Sequence, residues 1–135
     1  MSQKEIIEAR DSLTRCLTVA GFFDRFYELF LASSPEVAEK FKSTNFVEQK
    51  KMLESSLYLM LVAAGTSKGV GHAELERVAQ RHSRKDLNIQ PELYTLWLDC
   101  LMQAVSEHDP QYTLELERAW REALKDGIEL MKANY

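Results

Sequence analysis

Few side chains in this sequence could do chemistry. Three histidines, His72, His82 and His108, and two cysteines, Cys16 and Cys100, are scattered along the chain and never gather at the intervals a zinc site needs. The cysteines form no CxxC pair, so both are expected as free, packed thiols. What remains is an imidazole where a helical pattern runs into a polar linker (His82), two phenols (Tyr27 and Tyr94) and an amide early in a later helix (Gln49). Imidazole can hold a metal through one ring nitrogen while the other is fixed by an acceptor. Phenol O–H and amide N–H are hydrogen-bond donors. Taken singly, each of these residues reads as ordinary packing or surface. Met52, Met60, Met102 and Met131 read as core filler. His72 and His108 border loops and are expected to be exposed.

The scaffold that must position these groups is predicted to be a single domain over 1–135, long enough to bury a core without staples. With 45% hydrophobic and 28% charged residues the composition is that of a globular protein, and a net charge of −4 argues against nucleic acid as a partner. The opening MSQKEIIEARD interrupts its apolar positions with charge. It reads as an amphipathic helix and not a secretory signal, which implies a cytoplasmic protein with no membrane partner.

Apolar residues recur at three and four throughout, predicting an all-α fold. The first helix is expected from about Gln3 to Ala20, with Ile6, Ile7, Leu13 and Leu17 inward. Gly21 separates it from an aromatic helix, Phe22 to about Ala32. Ser34-Pro35 caps and starts a short helix ending near Phe41. Asn45 with Glu48 resembles a capping box, opening a long helix to about Ala64 with Phe46, Leu53, Leu57, Met60 and Leu61 on one side. GTSKGVG, residues 65 to 71, reads as flexible. Helices then follow over about His72–Arg84, Pro91–Ser106 and Thr113–Ala133. The crowding of aromatics in the second helix and the brevity of the third suggest something flat and apolar packed inside.

FYELFLASSPEVAEKF, residues 26 to 41, resembles the segment of single-domain bacterial haemoglobins and flavohaemoglobin haem domains in which an aromatic helix leads into a proline-started helix ending at phenylalanine. VAQRHSRKDLNIQPELY, residues 78 to 94, is similar to the family's proximal segment: a histidine-bearing helix, a polar turn, then proline and tyrosine opening the next helix. The resemblance implies a globin fold of about seven helices around haem b. His82 would ligate the iron, Phe41 would stack on the porphyrin, Phe46 and Leu53 would line the pocket, and Tyr27 would be the distal tyrosine. Gln49 matches the distal position of the long helix. Sliding that helix by one would bring Lys50 forward instead. Gln49 is preferred because it keeps Phe46, Leu53, Leu57 and Met60 on the buried face, whereas the alternative turns Glu54 to the haem. Lys50 and Lys51 are then solvated.

Such a site would bind dioxygen reversibly at a pentacoordinate iron, with carbon monoxide and nitric oxide as further ligands, for storage or transport. Two alternatives stay open: a nitric oxide dioxygenase served by a separate reductase, or a gas sensor acting through a partner protein. Pairing of two chains through an exposed helix face is also left open. In flavohaemoglobins the tyrosine matching Tyr94 joins a glutamate late in the last helix. Counted from Trp120, the place of that glutamate falls on Tyr135. A peroxidase-like role is therefore not expected, and Tyr94 is left between a proximal-pocket hydrogen bond and plain packing.

Overall fold

A computed structural model describes residues 3–64 and 70–135, except the side chains of 70–72. The described residues form seven helices and no strand: α1 (Gln3–Leu17), α2 (Phe22–Ser33), α3 (Pro35–Lys40), α4 (Phe46–Ala63), α5 (Val70–Arg81), α6 (Leu93–His108) and α7 (Leu114–Ala133). None of them is long and apolar enough to cross a membrane. Of the glycine-rich stretch, 65–69 lie outside the described residues, while Val70 and Gly71 already belong to α5.

Local chemistry sets the helix ends. Three-residue backbone bonds from Thr18 to Arg15 and from Val19 to Cys16 tighten the last turn of α1, which stops at Leu17, short of Ala20. Gly21 then turns the chain at φ +88°, a conformation side chains resist. The Ser34 hydroxyl accepts from the Glu36 amide to open α3, with Pro35 in its first turn. Asn45 Oδ1 accepts from the amides of Val47 and Glu48 to open α4, while the Glu48 carboxylate pairs with Lys51. Pro91 and Glu92 form a turn closed by Leu93 N to Gln90 O and Tyr94 N to Pro91 O, so α6 begins at Leu93 and runs on to His108.

α1 packs on α7, α2 on α6 and α3, and α4, α5 and α7 on one another. Gly127 allows the α4–α7 contact, because a Cβ there would lie 2.7 Å from Met60 Cε. Leu13, Phe26, Leu57, Leu101, Trp120 and Leu124 are sealed from solvent. Three expectations need correction. Ile7 is 44% exposed, because the buried stripe of α1 runs Ile6, Ala9, Leu13, Cys16 and leaves Ile7 on its flank. Met52 is exposed beside the buried Leu53, whereas Met60, Met102 and Met131 are core. His108 is half-buried, with Nδ1 2.9 Å from the Ala104 carbonyl and its ring edge-on to Phe22. The His72 side chain lies outside the described residues. Both cysteines are free, and burial pushes the Cys16 thiol up to about 12.

Where α1, α6 and α7 meet, a polar cluster is buried. Trp120 Nε1 donates to Ser12 Oγ at 2.9 Å, and Ser12 Oγ donates to Asp109 Oδ2 at 2.5 Å. Arg15 grips both Asp109 oxygens, at 2.8 and 2.9 Å, and the Gln111 amide donates to Oδ1 at 2.8 Å. Burial alone would raise the Asp109 carboxyl, but Arg15, Ser12 and the Gln111 amide together hold it below the usual carboxylate range.

Candidate functional site

The His82 ring is half-buried just beyond α5, where its amide still bonds to the Val78 carbonyl. Nδ1 lies 2.7 Å from that same carbonyl oxygen. A carbonyl only accepts, so Nδ1 carries a proton and Nε2 keeps its lone pair. Burial lowers the pKa of the ring, with the Val78 bond pulling the other way, and the net effect favours neutral imidazole. The linker after His82 folds on itself. Ile89 N donates to the His82 carbonyl at 3.0 Å, and Ser83 O accepts from both Asp86 and Asn88.

On the opposite segment, α2 presents a chain of rings. Phe26 and Phe30 stack at 5.4 Å, and Tyr27 meets Phe41 edge-on at 5.8 Å and Phe46 at 5.3 Å. Phe41 and Phe46 are themselves 6.0 Å apart and only half-buried. Burial pushes the Tyr27 phenol up to about 12, with the Gln49 side chain beside it pulling the other way. At that value the phenol keeps its proton and remains a donor. Leu53, one turn beyond Gln49, is buried in the same core cluster as Tyr27. Lys50 turns elsewhere, its Nζ 2.6 Å from Asp24 Oδ1, and Glu54 is exposed. Lys40 Nζ donates to the Leu87 carbonyl at 3.3 Å, tying the Phe41 corner to the linker that follows His82.

Tyr27, Phe41, Phe46 and Gln49 are thus brought together, and His82 and Tyr94 stand at the two ends of the α5–α6 linker. No hydrogen bond joins these last two among the described residues. Tyr94 is buried, its phenol pushed up to about 12 by burial, and among the described residues its hydroxyl has no partner; neither does the buried Oε1 of Gln90 one turn earlier.

Sequence reasoning missed the groups that fix the linker. The Tyr135 hydroxyl donates to Asn88 Oδ1 at 2.9 Å, and its backbone oxygen accepts from Arg84 N and Nε at 3.2 and 3.1 Å. The Arg84 guanidinium also lies 4.6 Å over the Tyr135 ring. Asn88 holds φ +54°, the one signal the sequence offered, since asparagine tolerates that region.

The globin family model matches residues 24–129 of this chain. The chain belongs to the globin family. A Pseudomonas aeruginosa PAO1 protein, whose crystal structure is described as structurally highly homologous to a human hemoglobin, is 39% identical and superposes with a TM-score of 0.92. The match covers 97% of this chain and 98% of that one. No curated protein matches.

A globin's cofactor is haem, and the donor set fits it. Among the described residues no group of three His, Cys, Asp or Glu could hold a metal unaided. One neutral imidazole with a free Nε2 would suit an iron that porphyrin already holds. The half-buried faces of Phe41 and Phe46 suit a flat apolar ring.

Proposed function

We propose that this globin binds haem b through His82 and takes dioxygen, carbon monoxide or nitric oxide reversibly on the face toward Tyr27 and Gln49. The observation that carries this reading is the His82 ring, whose Nδ1 is committed to the Val78 carbonyl. That bond fixes the tautomer and the ring plane and aims the lone pair of Nε2 outward, as a ligating histidine requires.

Haem held by His82 would supply an iron able to take up a diatomic gas. Tyr27 and Gln49 then act as donors. The phenol keeps its proton at any physiological pH, and both groups can hydrogen-bond the negative end of a polarised gas. Leu53, Phe46 and Phe41 keep the surroundings apolar and hold water away, which strengthens each such bond. The placing of Lys50 on Asp24 supports Gln49 as the distal amide.

A hydrogen bond to a charge-bearing group contributes about 1.5–3 kcal/mol, or about ten- to a hundredfold in affinity. Tyr27→Phe should therefore speed oxygen dissociation from the reconstituted protein by about that factor, with carbon monoxide, less polar when bound, affected less. Stopped-flow displacement measures both rates. An unchanged oxygen rate would remove Tyr27 from the distal site.

A further inference from the structure

The first two turns of α4 carry Phe46 and Gln49, yet packing holds them loosely. From Phe46 to Met52 no residue is buried, and Leu53 is the first that is. A recess of about 180 Å³, lined in part by Asp24, Tyr27, Phe46 and Lys50, separates this segment from α2. A buried stripe normally decides which way a helix faces, and here the side chains that reach across to α2 must do so instead. The Phe46 ring meets Tyr27 at 5.3 Å, the Gln49 side chain stands beside the Tyr27 phenol, and the Lys50 ammonium reaches the Asp24 carboxylate at 2.6 Å. Asp24 and Tyr27 lie three residues apart on one face of α2, and Gln49 and Lys50 are consecutive on α4. Two neighbouring attachments of this kind fix rotation about the axis of α4. Successive helical residues point about 100° apart, so a turn of that size would bring Lys50 toward Tyr27 and carry Gln49 away. The adjacent charges are already engaged, Arg25 with Glu28 and Glu107 and Lys51 with Glu48, which leaves Asp24 and Lys50 to each other.

We propose that Asp24 is a positioning residue for the distal site: through Lys50 it latches the start of α4 so that the Gln49 amide stays beside Tyr27. The inference rests on the distal role given above to Tyr27 and Gln49. Asp24 contributes no donor of its own and acts only through Lys50. The latch is partial, since the Lys50 side chain is 34% exposed and that of Asp24 69%, so solvent and salt compete for both partners. Opening it leaves α4 held from Leu53 onward and frees only the turns before it.

The test combines oxygen dissociation from the haem-loaded protein with backbone hydrogen exchange of the purified protein. Asp24→Asn and Lys50→Gln are each expected to speed oxygen release about two- to fivefold, with no further gain in the double variant, because both undo one latch. Lys50→Arg, which can still pair with Asp24, should behave as wild type. Added salt should speed release from wild type and leave Asp24→Asn unchanged. In a Gln49→Ala background Asp24→Asn should have no effect, since the amide it positions is gone. Exchange in Asp24→Asn should quicken about two- to fivefold at the amides of Gln49, Lys50 and Lys51 and stay as in wild type from Leu57 to Leu61. An Asp24→Asn effect on release as large without Gln49 as with it would overturn the positioning role. So would exchange that is unaltered at Gln49–Lys51 or raised along the whole of α4, as a general loss of stability would give. If Gln49→Ala alone left oxygen release unaltered, the distal reading would fail, while the exchange pattern would still decide the latch.

Discussion

Two buried polar regions of this molecule differ in how their hydrogen bonds close. At the α1–α6–α7 corner, Ser12, Asp109 and Trp120 are almost sealed from solvent, and each finds its partner within the chain. Around the start of α6, Gln90 Oε1 and the Tyr94 hydroxyl are buried without one, and His82 next to that segment keeps one ring nitrogen uncommitted among the described residues. Unmade hydrogen bonds in a folded interior are costly and therefore rare. The first region is finished by the fold alone and serves it. The second carries polar groups that packing does not need, as expected where a protein must accommodate another group.

Breaking the first region should be the more damaging to stability. Asp109→Ala strips partners from Ser12 and Arg15 at once, and is expected to cost about 3 kcal/mol, near the low end for buried pairs because Arg15 reaches solvent. Chemical denaturation of the haem-free and haem-loaded proteins should show the same loss, since the cluster belongs to the scaffold. A loss confined to the loaded form would place Asp109 in the site instead.

Acid should act through the same carboxylate. The Asp109 pKa is lowered on folding, so its contribution is fully present above the unfolded value, near 3.8, and fades as pH falls through the lower folded value. The wild type should lose stability relative to Asp109→Ala as pH drops below about 4. Parallel acid titrations followed by circular dichroism check this, and parallel curves would remove Asp109 as the source.

The smallest effect is expected in the second region. Tyr94→Phe deletes a buried hydroxyl that bonds to nothing among the described residues, so the haem-free protein should be unchanged or more stable by up to about 1 kcal/mol. A clear loss of stability in the haem-free form would mean that the hydroxyl has a partner there and that the contrast between the regions is false.

The helices were legible in the sequence for local reasons. A three-and-four apolar period, Gly21, the Ser34-Pro35 start and the Asn45 cap act over a few residues, and each stands where expected. Errors fell at ends such as Leu17 and Leu93, where three-residue bonds compete with helical ones, and at Ile7 and Met52, one step off a buried stripe. The order of Tyr27, Phe41, Gln49 and His82 follows a family pattern, and the fold brings the first three of them together. The ties that hold the fold and the site in shape were not legible. Arg15 to Asp109, Tyr135 to Asn88 and Lys50 to Asp24 are separated by 94, 47 and 26 residues. A charged or polar residue at such distances advertises no partner until the helices are packed. The missing glutamate near Tyr94 shows the reverse case. Counting pointed to Tyr135, and in three dimensions that residue clamps the linker after His82 through Asn88 and Arg84.

The central claim is that His82 Nε2 ligates haem iron. Absorption spectra of the ferric, ferrous and carbon monoxide forms, recorded for wild type and His82→Ala side by side, test it most directly. Wild type is predicted to give the spectra of a histidine-ligated haem, whereas His82→Ala should lose haem or show altered spectra that added imidazole restores. Identical spectra for the two proteins would contradict the assignment.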